Sequence, residues 1–244
     1  MAEGLRTIEG LLDQGWPLRS LLLSERRAAR APLLVTRAEA TGAQVLVAPQ
    51  DVLDRVAGYA VHRGALALAP RPAERDPLQT VADVRVVLVV EGVNDFENLG
   101  ALFRNAAAFG VGAVLLDPTT ADPLYRRCVR VSLGHVMRVP FARLSDWPAG
   151  LSEISRAGFS IVGLTPASER SVDELARAAP ERVAVMVGSE GSGLTPAALA
   201  ACDERVRIPM AVGVDSLNVA TAAAIALHLL GRVDRAHGDR RAAR

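Results

Sequence analysis

Lysine is absent from this sequence of 244 residues, and cysteine is nearly absent. The two cysteines, Cys128 and Cys202, lie far apart without a C-x-x-C neighbour or a nearby histidine cluster, so neither a disulfide framework nor a zinc site is indicated. We interpret both as small buried or half-buried residues. No apolar run is long enough to span a bilayer, and the N-terminus lacks the basic-then-apolar layout of a signal peptide. The sequence therefore predicts a cytoplasmic protein that neither holds a metal nor enters a membrane.

Three common ligand-binding motifs are incomplete. Residues 109–113 contain G-x-G, but this stretch precedes a strand instead of following one, which disfavours a dinucleotide site. Residues 188–195 almost match a phosphate-binding P-loop, but Leu194 occupies the position of the lysine that would contact the β- and γ-phosphates. No G-x-S-x-G turn is present, and the four histidines are scattered. These departures disfavour an NTPase, a Rossmann-type dehydrogenase and a serine hydrolase.

Every basic side chain other than histidine is arginine, and the formal net charge is only +1. The arginines gather in three places: Arg26, Arg27 and Arg30; Arg126, Arg127, Arg130 and Arg138; and Arg232, Arg235, Arg240, Arg241 and Arg244. Guanidinium groups bind phosphates through paired hydrogen bonds and stack on bases. A GC-rich genome and solvated helix faces explain the same pattern more simply. The clusters are thus compatible with nucleic acid binding without requiring it.

The pattern of apolar runs predicts two α/β units separated by a proline-rich stretch at residues 70–77. We predict a substrate-binding domain at 1–72, a linker at 73–82, a second domain at 83–232, and a flexible arginine-rich tail at 233–244. The run at 84–90 is continuously apolar and β-branched, as in strands buried on both faces of a parallel sheet. The predicted strands are 18–23, 45–47, 65–69, 84–90, 113–116, 160–164, 183–187 and 206–208. Thr195 and Pro196 predict a capped helix start, and a buried final helix is predicted from Ser216 to Leu230.

Three motifs follow one another in the second predicted domain. The first has the form N-x-G-x-x-x-R, with Asn98, Gly100 and Arg104. The second, G-x-E-x-x-G-L, follows an apolar strand and contains Gly188, Glu190, Gly193 and Leu194. The third also follows an apolar run and consists of Ile208, Pro209 and Met210 and then Ser216, Leu217 and Asn218. Glycine and small polar residues after strands are typical of loops whose backbone contacts a ligand.

In order and content the three motifs resemble those of the SpoU-type RNA 2′-O-ribose methyltransferases of the SPOUT superfamily. The resemblance covers residues 84–231. It implies a C-terminal α/β domain with a mainly parallel sheet and a trefoil knot, and it implies a homodimer. The N-terminal unit resembles the small ribosomal-protein-like RNA-binding domain of that family, including Arg63 before its last strand. Its opening strand is expected to be short. The residue after Arg104 is often threonine in the family, whereas this chain has Asn105.

The resemblance also implies a cofactor, S-adenosylmethionine, held by the knotted loops. Backbone groups at Gly188, Ile208 and Leu217 are implied to contact its adenosine part. Ile208, Met210 and Leu217 are apolar, as expected of side chains on either side of an adenine.

The implied catalytic set is Arg104, Asn98, Glu190, Ser216 and Asn218. Transfer of a sulfonium methyl to a ribose hydroxyl releases a neutral thioether, so the site needs alignment and a means of handling the hydroxyl proton, but no general acid. The family assigns the proton to the arginine that matches Arg104, although guanidinium groups stay protonated in proteins. Arg104 is therefore either a base activated by the substrate phosphate or a cation that stabilises the alkoxide. It should begin the second turn of its helix and reach back toward the Asn98 loop.

The other members of the set have positioning roles. Asn98 should orient the nucleotide or Arg104, and Glu190 should fix the second loop or Arg104. Ser216 and Asn218 should position ribose, phosphate or loop backbone.

The RNA substrate is expected to be ribosomal RNA, contacted by Arg126, Arg127, Arg130 and Arg63. Two alternatives remain at this point. The substrate could instead be transfer RNA, or the protein could be a catalytically silent module that only binds RNA. The intact motif residues argue against the silent module, and nothing in the sequence identifies a nucleotide position.

Overall fold

The computed structural model describes residues 1–178 and 180–231 of the chain. The predicted arginine-rich tail at 233–244 lies outside the described residues. Among the residues described, none of the helices combines the length and apolarity that a membrane crossing requires. By their contacts, the described residues form two compact units.

The strands and helices alternate along most of the chain. The strands are β1 (Ala2–Glu3), β2 (Ser20–Ser24), β3 (Gln44–Ala48), β4 (Ala65–Leu68), β5 (Val86–Val90), β6 (Ala113–Leu116), β7 (Phe141–Arg143), β8 (Ser160–Leu164), β9 (Val183–Val187) and β10 (Glu204–Val206). The helices are α1 (Leu5–Asp13), α2 (Glu25–Arg30), α3 (Pro32–Ala40), α4 (Gln50–Ala57), α5 (Pro77–Val81), α6 (Phe96–Ala108), α7 (Arg126–Val131), α8 (Leu151–Arg156), α9 (Val172–Ala178), α10 (Pro196–Ala200) and α11 (Val219–Leu230).

The N-terminal unit consists of residues 1–73 together with residues 123–138, so α7 belongs to it. Its sheet has the order β1-β4-β2-β3, with β2 parallel to β3 and antiparallel to β4. Leu53, Val61 and Leu66 form a small apolar cluster between α4 and the sheet. β1 is only two residues long, as the sequence predicts, and it pairs with β4. Residues 123–138 join this unit through contacts in space and not through their position in the sequence. The domain boundaries 1–72, 73–82 and 83–232 stay a prediction.

The C-terminal unit consists of residues 74–122 and the described residues from 139 onward. Its sheet has the order β10-β8-β9-β5-β6-β7, and every neighbouring pair is parallel. All five residues of β5 and of β9 are buried, which is why these strands read as unbroken apolar runs. The predicted α/β class, with a mainly parallel second sheet, is confirmed. The trefoil knot that the family resemblance implies stays a prediction.

Several predicted boundaries differ from the structure, two of them beside the site, and one strand was missed. The last strand, β10, spans Glu204–Val206 and not residues 206–208, because Val206 already pairs with Leu164 at the end of β8. The final helix begins at Val219 and not at Ser216, because the side chain of Asn218 caps it. β7 has only three residues and an arginine at its end, so its sequence carries no clear strand pattern.

Candidate functional site

The loops that follow β5, β9 and β10 lie at one edge of the C-terminal sheet, because parallel strands end on the same side. Open α/β sheets bind ligands at this edge. A pocket of about 500 Å³ lies there. It is lined by all four residues that the sequence assigns to the cofactor, Gly188, Ile208, Met210 and Leu217, and by Glu190, Ser216 and Asn218 of the catalytic set. The second and third motifs of the sequence therefore form the wall of a single cavity.

The glycine loop, residues 188–194, folds back on itself at the pocket wall. A Cβ atom added to Gly188 would lie 2.2 Å from the carbonyl carbon of Gly193 and 2.3 Å from the amide nitrogen of Leu194. The amide of Gly193 donates to the carbonyl of Ser189 at 3.0 Å. Gly193 has φ of +67°, a left-handed value that favours glycine. The loop therefore presents its backbone to the pocket in a shape that a side chain at position 188 would prevent.

Three polar side chains from the three motifs bind one another beside this loop. The amide nitrogen of Asn98 donates to Glu190 Oε1 at 2.8 Å. The amide nitrogen of Asn218 donates to the same carboxylate oxygen at 3.0 Å and to Asn98 Oδ1 at 2.8 Å. We call this set the polar triad. It ties α6, the glycine loop and the start of α11 together, although its members lie 28 to 120 residues apart in sequence.

Asn218 has a second role that its position at a helix start requires. Its Oδ1 accepts hydrogen bonds from the amides of Ala220 and Thr221, which caps α11. The carboxamide thus uses two donor and two acceptor positions at once, which is its full capacity. The orientation of α11 and that of the triad are therefore fixed by the same side chain.

Arg104 lies on α6, six residues after Asn98, which corresponds to about 9 Å along a helix axis. Because α6 already begins at Phe96, Arg104 is in the third turn and not in the second, which corrects the expectation from sequence. Its side chain is exposed, and it is not among the residues that line the pocket. Its neighbour Asn105 donates to the carbonyl of Ala220 at 2.8 Å, so the residue that departs from the family pattern joins α6 to α11.

Glu91 is a functional residue that sequence reasoning did not single out. Only 4% of it is exposed, and it follows directly after β5. Its carboxylate accepts hydrogen bonds from the amide and hydroxyl of Thr195, both at 2.8 Å, and from the indole nitrogen of Trp147 at 2.7 Å. Thr195 ends the glycine loop and caps α10, as predicted. Glu91 therefore fixes the C-terminal end of the glycine loop. The sequence signal that could have identified this residue is an acidic side chain directly after a fully apolar strand.

Asp117, at the end of β6, supports the loop after β5 in a similar way. It accepts a hydrogen bond from the amide of Gly92 at 3.0 Å and from the amide of Thr120 at 2.7 Å. Burial acts to raise the pKa of Asp117, but hydrogen bonds from Thr119, Thr120 and Gly92 outweigh burial and hold the pKa below its ordinary value. The carboxylate therefore remains ionised at neutral pH as a structural acceptor.

The predicted RNA-binding arginines lie in the N-terminal unit. Arg126, Arg127 and Arg130 are on α7, and all three are exposed. Arg63 lies before β4 and is also exposed. The guanidinium carbon of Arg126 lies 4.0 Å from the centre of the Tyr59 ring. The fold thus brings arginines from two distant segments into one unit.

Neither Cys128 nor Cys202 takes part in a disulfide bond within the residues that the structure describes. Cys128 is buried, and Cys202 is half-buried with its thiol donating to the carbonyl of Ala198 at 3.3 Å. Burial raises the pKa of Cys202 to about 11, so the thiol is protonated at neutral pH and a poor nucleophile. The interpretation of the cysteines as packing residues is confirmed.

Two family models match this chain. Residues 85–228 match the SpoU rRNA Methylase family, and residues 1–74 match the substrate-binding domain of RNA 2′-O ribose methyltransferases. An uncharacterized tRNA/rRNA methyltransferase of Mycobacterium bovis is 46% identical over 230 residues, which cover 93% of this chain and 79% of that protein.

Solved structures agree with this assignment. The crystal structure of an RNA 2′-O ribose methyltransferase superposes with a TM-score of 0.73 at 31% identity and covers 94% of this chain and 86% of its own. The SpoU methyltransferase AviRb from Streptomyces viridochromogenes, in complex with its cofactor AdoMet, has a TM-score of 0.80 at 25% identity and covers 95% of this chain and 88% of its own. Together with the site that the three motifs form, these matches confirm the resemblance, and the chain belongs to the SpoU family of S-adenosylmethionine-dependent RNA 2′-O-ribose methyltransferases.

Proposed function

We propose that this protein methylates a ribose 2′-hydroxyl of ribosomal RNA, in the cytoplasm, with the pocket at the glycine loop as the donor site. The observation that carries the proposal is the joining of Asn98, Glu190 and Asn218 by hydrogen bonds beside that pocket. An RNA-binding module without catalysis would have no need for this arrangement.

The residues that line the pocket fit S-adenosylmethionine. Ile208, Met210 and Leu217 provide apolar surface for a purine, and the folded glycine loop provides backbone donors and acceptors. The backbone of Gly193 and Leu194 packs against Gly188 where a Cβ atom would lie, and this close approach keeps the loop in the shape of a cradle. When bound, the donor supplies an electrophilic methyl group on a sulfonium centre. The chain has to orient the donor, align the ribose hydroxyl and stabilise its developing negative charge.

Each member of the catalytic set then has a part in our proposal. The polar triad fixes the glycine loop against α6 and α11, and Ser216 lines the pocket next to it. Arg104 acts as a cation that stabilises the ribose oxygen as it loses its proton, since a guanidinium does not serve readily as a base. The hydroxyl proton leaves to the substrate phosphate or to water.

The choice of ribosomal RNA over transfer RNA is supported by the N-terminal unit and by the family description. The substrate-binding model matches residues 1–74, and the catalytic model describes rRNA methylases. The Mycobacterium bovis relative is named for both kinds of RNA, so transfer RNA is the second candidate.

Ribose-methylation mapping of total RNA from cells with and without the gene tests the choice of substrate. We expect one or a few ribosomal positions to lose their 2′-O-methyl group in the deletion strain. Purified protein should then methylate the unmodified ribosomal RNA of that strain. A lost methyl group found only in transfer RNA would contradict the proposal while leaving the family assignment intact.

Replacing Asn218 with aspartate should separate its role in the triad from its role as a helix cap. Aspartate caps helices about as well as asparagine, so α11 should keep its start. The new carboxylate would face Glu190 across 3.0 Å without a hydrogen to donate. Because a hydrogen bond to a charged group is worth about 1.5–3 kcal/mol, we expect methyl transfer to fall at least about tenfold and Tm to fall by several degrees, with the protein still folded at the assay temperature.

Asn94→Asp is the matched control, because it makes the same change in the neighbouring loop at a side chain that donates to the carbonyl of Gly92. Adding Glu190→Gln to Asn218→Asp restores a donor between the two positions and should recover part of the activity. Wild-type activity of the single Asn218→Asp variant would show that the triad does not support catalysis.

We also propose a homodimer formed through α11. Ala222, Ile225 and Leu229 lie along one side of this helix and are only half-buried. Such an apolar stripe suits a symmetric contact between two copies. Sedimentation at micromolar concentration should therefore show a dimer.

The change Ile225→Asp should shift the sedimentation of the protein toward the monomer. Leu33→Asp is the control, because it places the same charge on a leucine of the N-terminal unit that is 72% exposed. A fully active monomer of the wild-type protein would contradict the proposed dimer.

A further inference from the structure

The N-terminal unit carries an exposed surface of aromatic rings and arginines that the three motifs do not include. We call it the tyrosine–arginine surface, and it consists of Tyr59, Arg63, Tyr125, Arg126, Arg127 and Arg130. It draws on two segments of the chain that lie more than sixty positions apart. Contacts within the N-terminal unit hold several of these side chains in place before any ligand binds.

Tyr59 and Arg126 form the inner part of this surface. The guanidinium carbon of Arg126 lies 4.0 Å from the centre of the Tyr59 ring, within the range of a cation–π contact. The hydroxyl of Tyr59 donates to a carboxylate oxygen of Glu3 at 3.0 Å. Arg126 is thereby stacked on a ring that is itself held by β1.

Arg63 lies beside the same β1 segment. Its Cδ atom would be 2.7 Å from a Cβ atom at Gly4, so its side chain crosses the backbone just after Glu3. The carbonyl of Arg63 accepts a hydrogen bond from Arg27 Nε at 3.0 Å. Arg63 packs against Gly4, and Arg126 stacks on Tyr59, whose hydroxyl is bound to Glu3. Both arginines are therefore positioned by the same short segment of the chain.

Helix α7 presents the outer part of the surface. Cys128 and Val129 point into the unit and are buried, which leaves Arg126, Arg127 and Arg130 on the outer face. Tyr125 immediately precedes the helix and is 46% exposed. An aromatic ring is therefore presented to solvent with guanidinium groups on the residues that follow it.

We propose that Tyr125 is a stacking platform for an unpaired base of the RNA substrate, with Arg126 and Arg127 contacting the flanking phosphates. The inference rests on the proposed function for the presence of RNA and adds the kind of RNA recognised. Stacking on an aromatic ring requires an open base face, which a duplex hides and a single strand offers. Tyr125 lies outside residues 1–74, so this contact extends RNA binding beyond the segment matched as the substrate-binding domain.

The test uses the full-length protein and two probes, a single-stranded RNA of about 12 nucleotides and an RNA duplex of the same length. We expect Tyr125→Ala to weaken binding of the single strand about tenfold or more and to change duplex binding less than about twofold. Tyr125→Phe, which keeps the ring and loses the hydroxyl, should bind the single strand like the wild type. Arg127→Ala should weaken both probes and reduce the slope of affinity against salt by about one.

Thermal unfolding of each variant serves as the folding control, because the substitutions lie in the N-terminal unit and donor binding would report only on the C-terminal unit. Equal losses on both probes, or no loss in Tyr125→Ala, would overturn the inference while the proposed function stands. Failure of Tyr125→Phe to bind would show that the hydroxyl and not the ring is recognised, which also overturns it. Failure of the wild-type protein to bind the single strand would also overturn the inference, while the proposed function is tested separately on unmodified ribosomal RNA.

Discussion

Replacing Arg104 with alanine is expected to lower kcat for methyl transfer about 10²- to 10³-fold, the usual effect of removing one group that stabilises a developing oxyanion. The dissociation constant for S-adenosylmethionine should stay nearly unchanged, because Arg104 does not line the donor pocket. An interaction made only in the transition state appears in kcat and not in binding. Single-turnover transfer to unmodified ribosomal RNA, together with calorimetry of donor binding, would measure both quantities.

Arg127→Ala is the matched control for this experiment, because it removes an exposed arginine from the N-terminal unit. It should raise the RNA concentration needed for half-maximal rate and leave the rate at saturating RNA intact. Near-normal turnover of Arg104→Ala at saturating RNA would make the proposed mechanism wrong, even with family and donor correct. Arg104→Lys adds a further readout, since a retained cation should recover part of the rate without introducing a new step in its pH profile up to about pH 9.

The change Gly188→Ala should weaken binding of S-adenosylmethionine about 100-fold or more. Its new methyl group would lie 2.2 Å from the carbonyl carbon of Gly193, far inside contact distance, and the obstructing atoms are backbone. Relief requires the glycine loop to open, and this loop forms one wall of the pocket. Overpacking of this kind costs about 1–3 kcal/mol or more, and here the cost falls on the binding loop. Calorimetric titration of the full-length protein would measure it.

Gly191→Ala in the same loop is the control, because a Cβ atom there meets no atom within 4 Å. Its φ of +86° still makes alanine unfavourable by about 1–2 kcal/mol, so a modest loss of affinity is expected. Thermal unfolding of both variants shows whether a substitution changes only donor binding or also lowers the stability of the protein. Wild-type donor affinity in Gly188→Ala would show that the close approach of the loop is not needed for binding.

The sequence by itself determined the fold class and the family. The buried strands β5 and β9 are continuous apolar runs, and such runs identify a parallel sheet because both of their faces are covered. The family resemblance of the motifs implied Gly188, Ile208, Met210 and Leu217 as donor contacts, and the fold brings all four to one pocket because the loops after parallel strands meet at one edge of the sheet.

Only the tertiary structure decided which side chains support the site. The sequence analysis assigned no role to Glu91, whereas its burial and its hydrogen bonds from Thr195 and Trp147 show that it holds the glycine loop. Asn105 stands where the family often has threonine, and the sequence assigned it no role. The structure shows that it donates a hydrogen bond to the carbonyl of Ala220 and so joins α6 to α11.

The placement of α7 in the N-terminal unit was equally out of reach from sequence. All of these features depend on contacts between residues far apart in the chain. Local patterns of polarity record which residues are buried, but not which distant partners they meet, so the partners follow only from the packed structure.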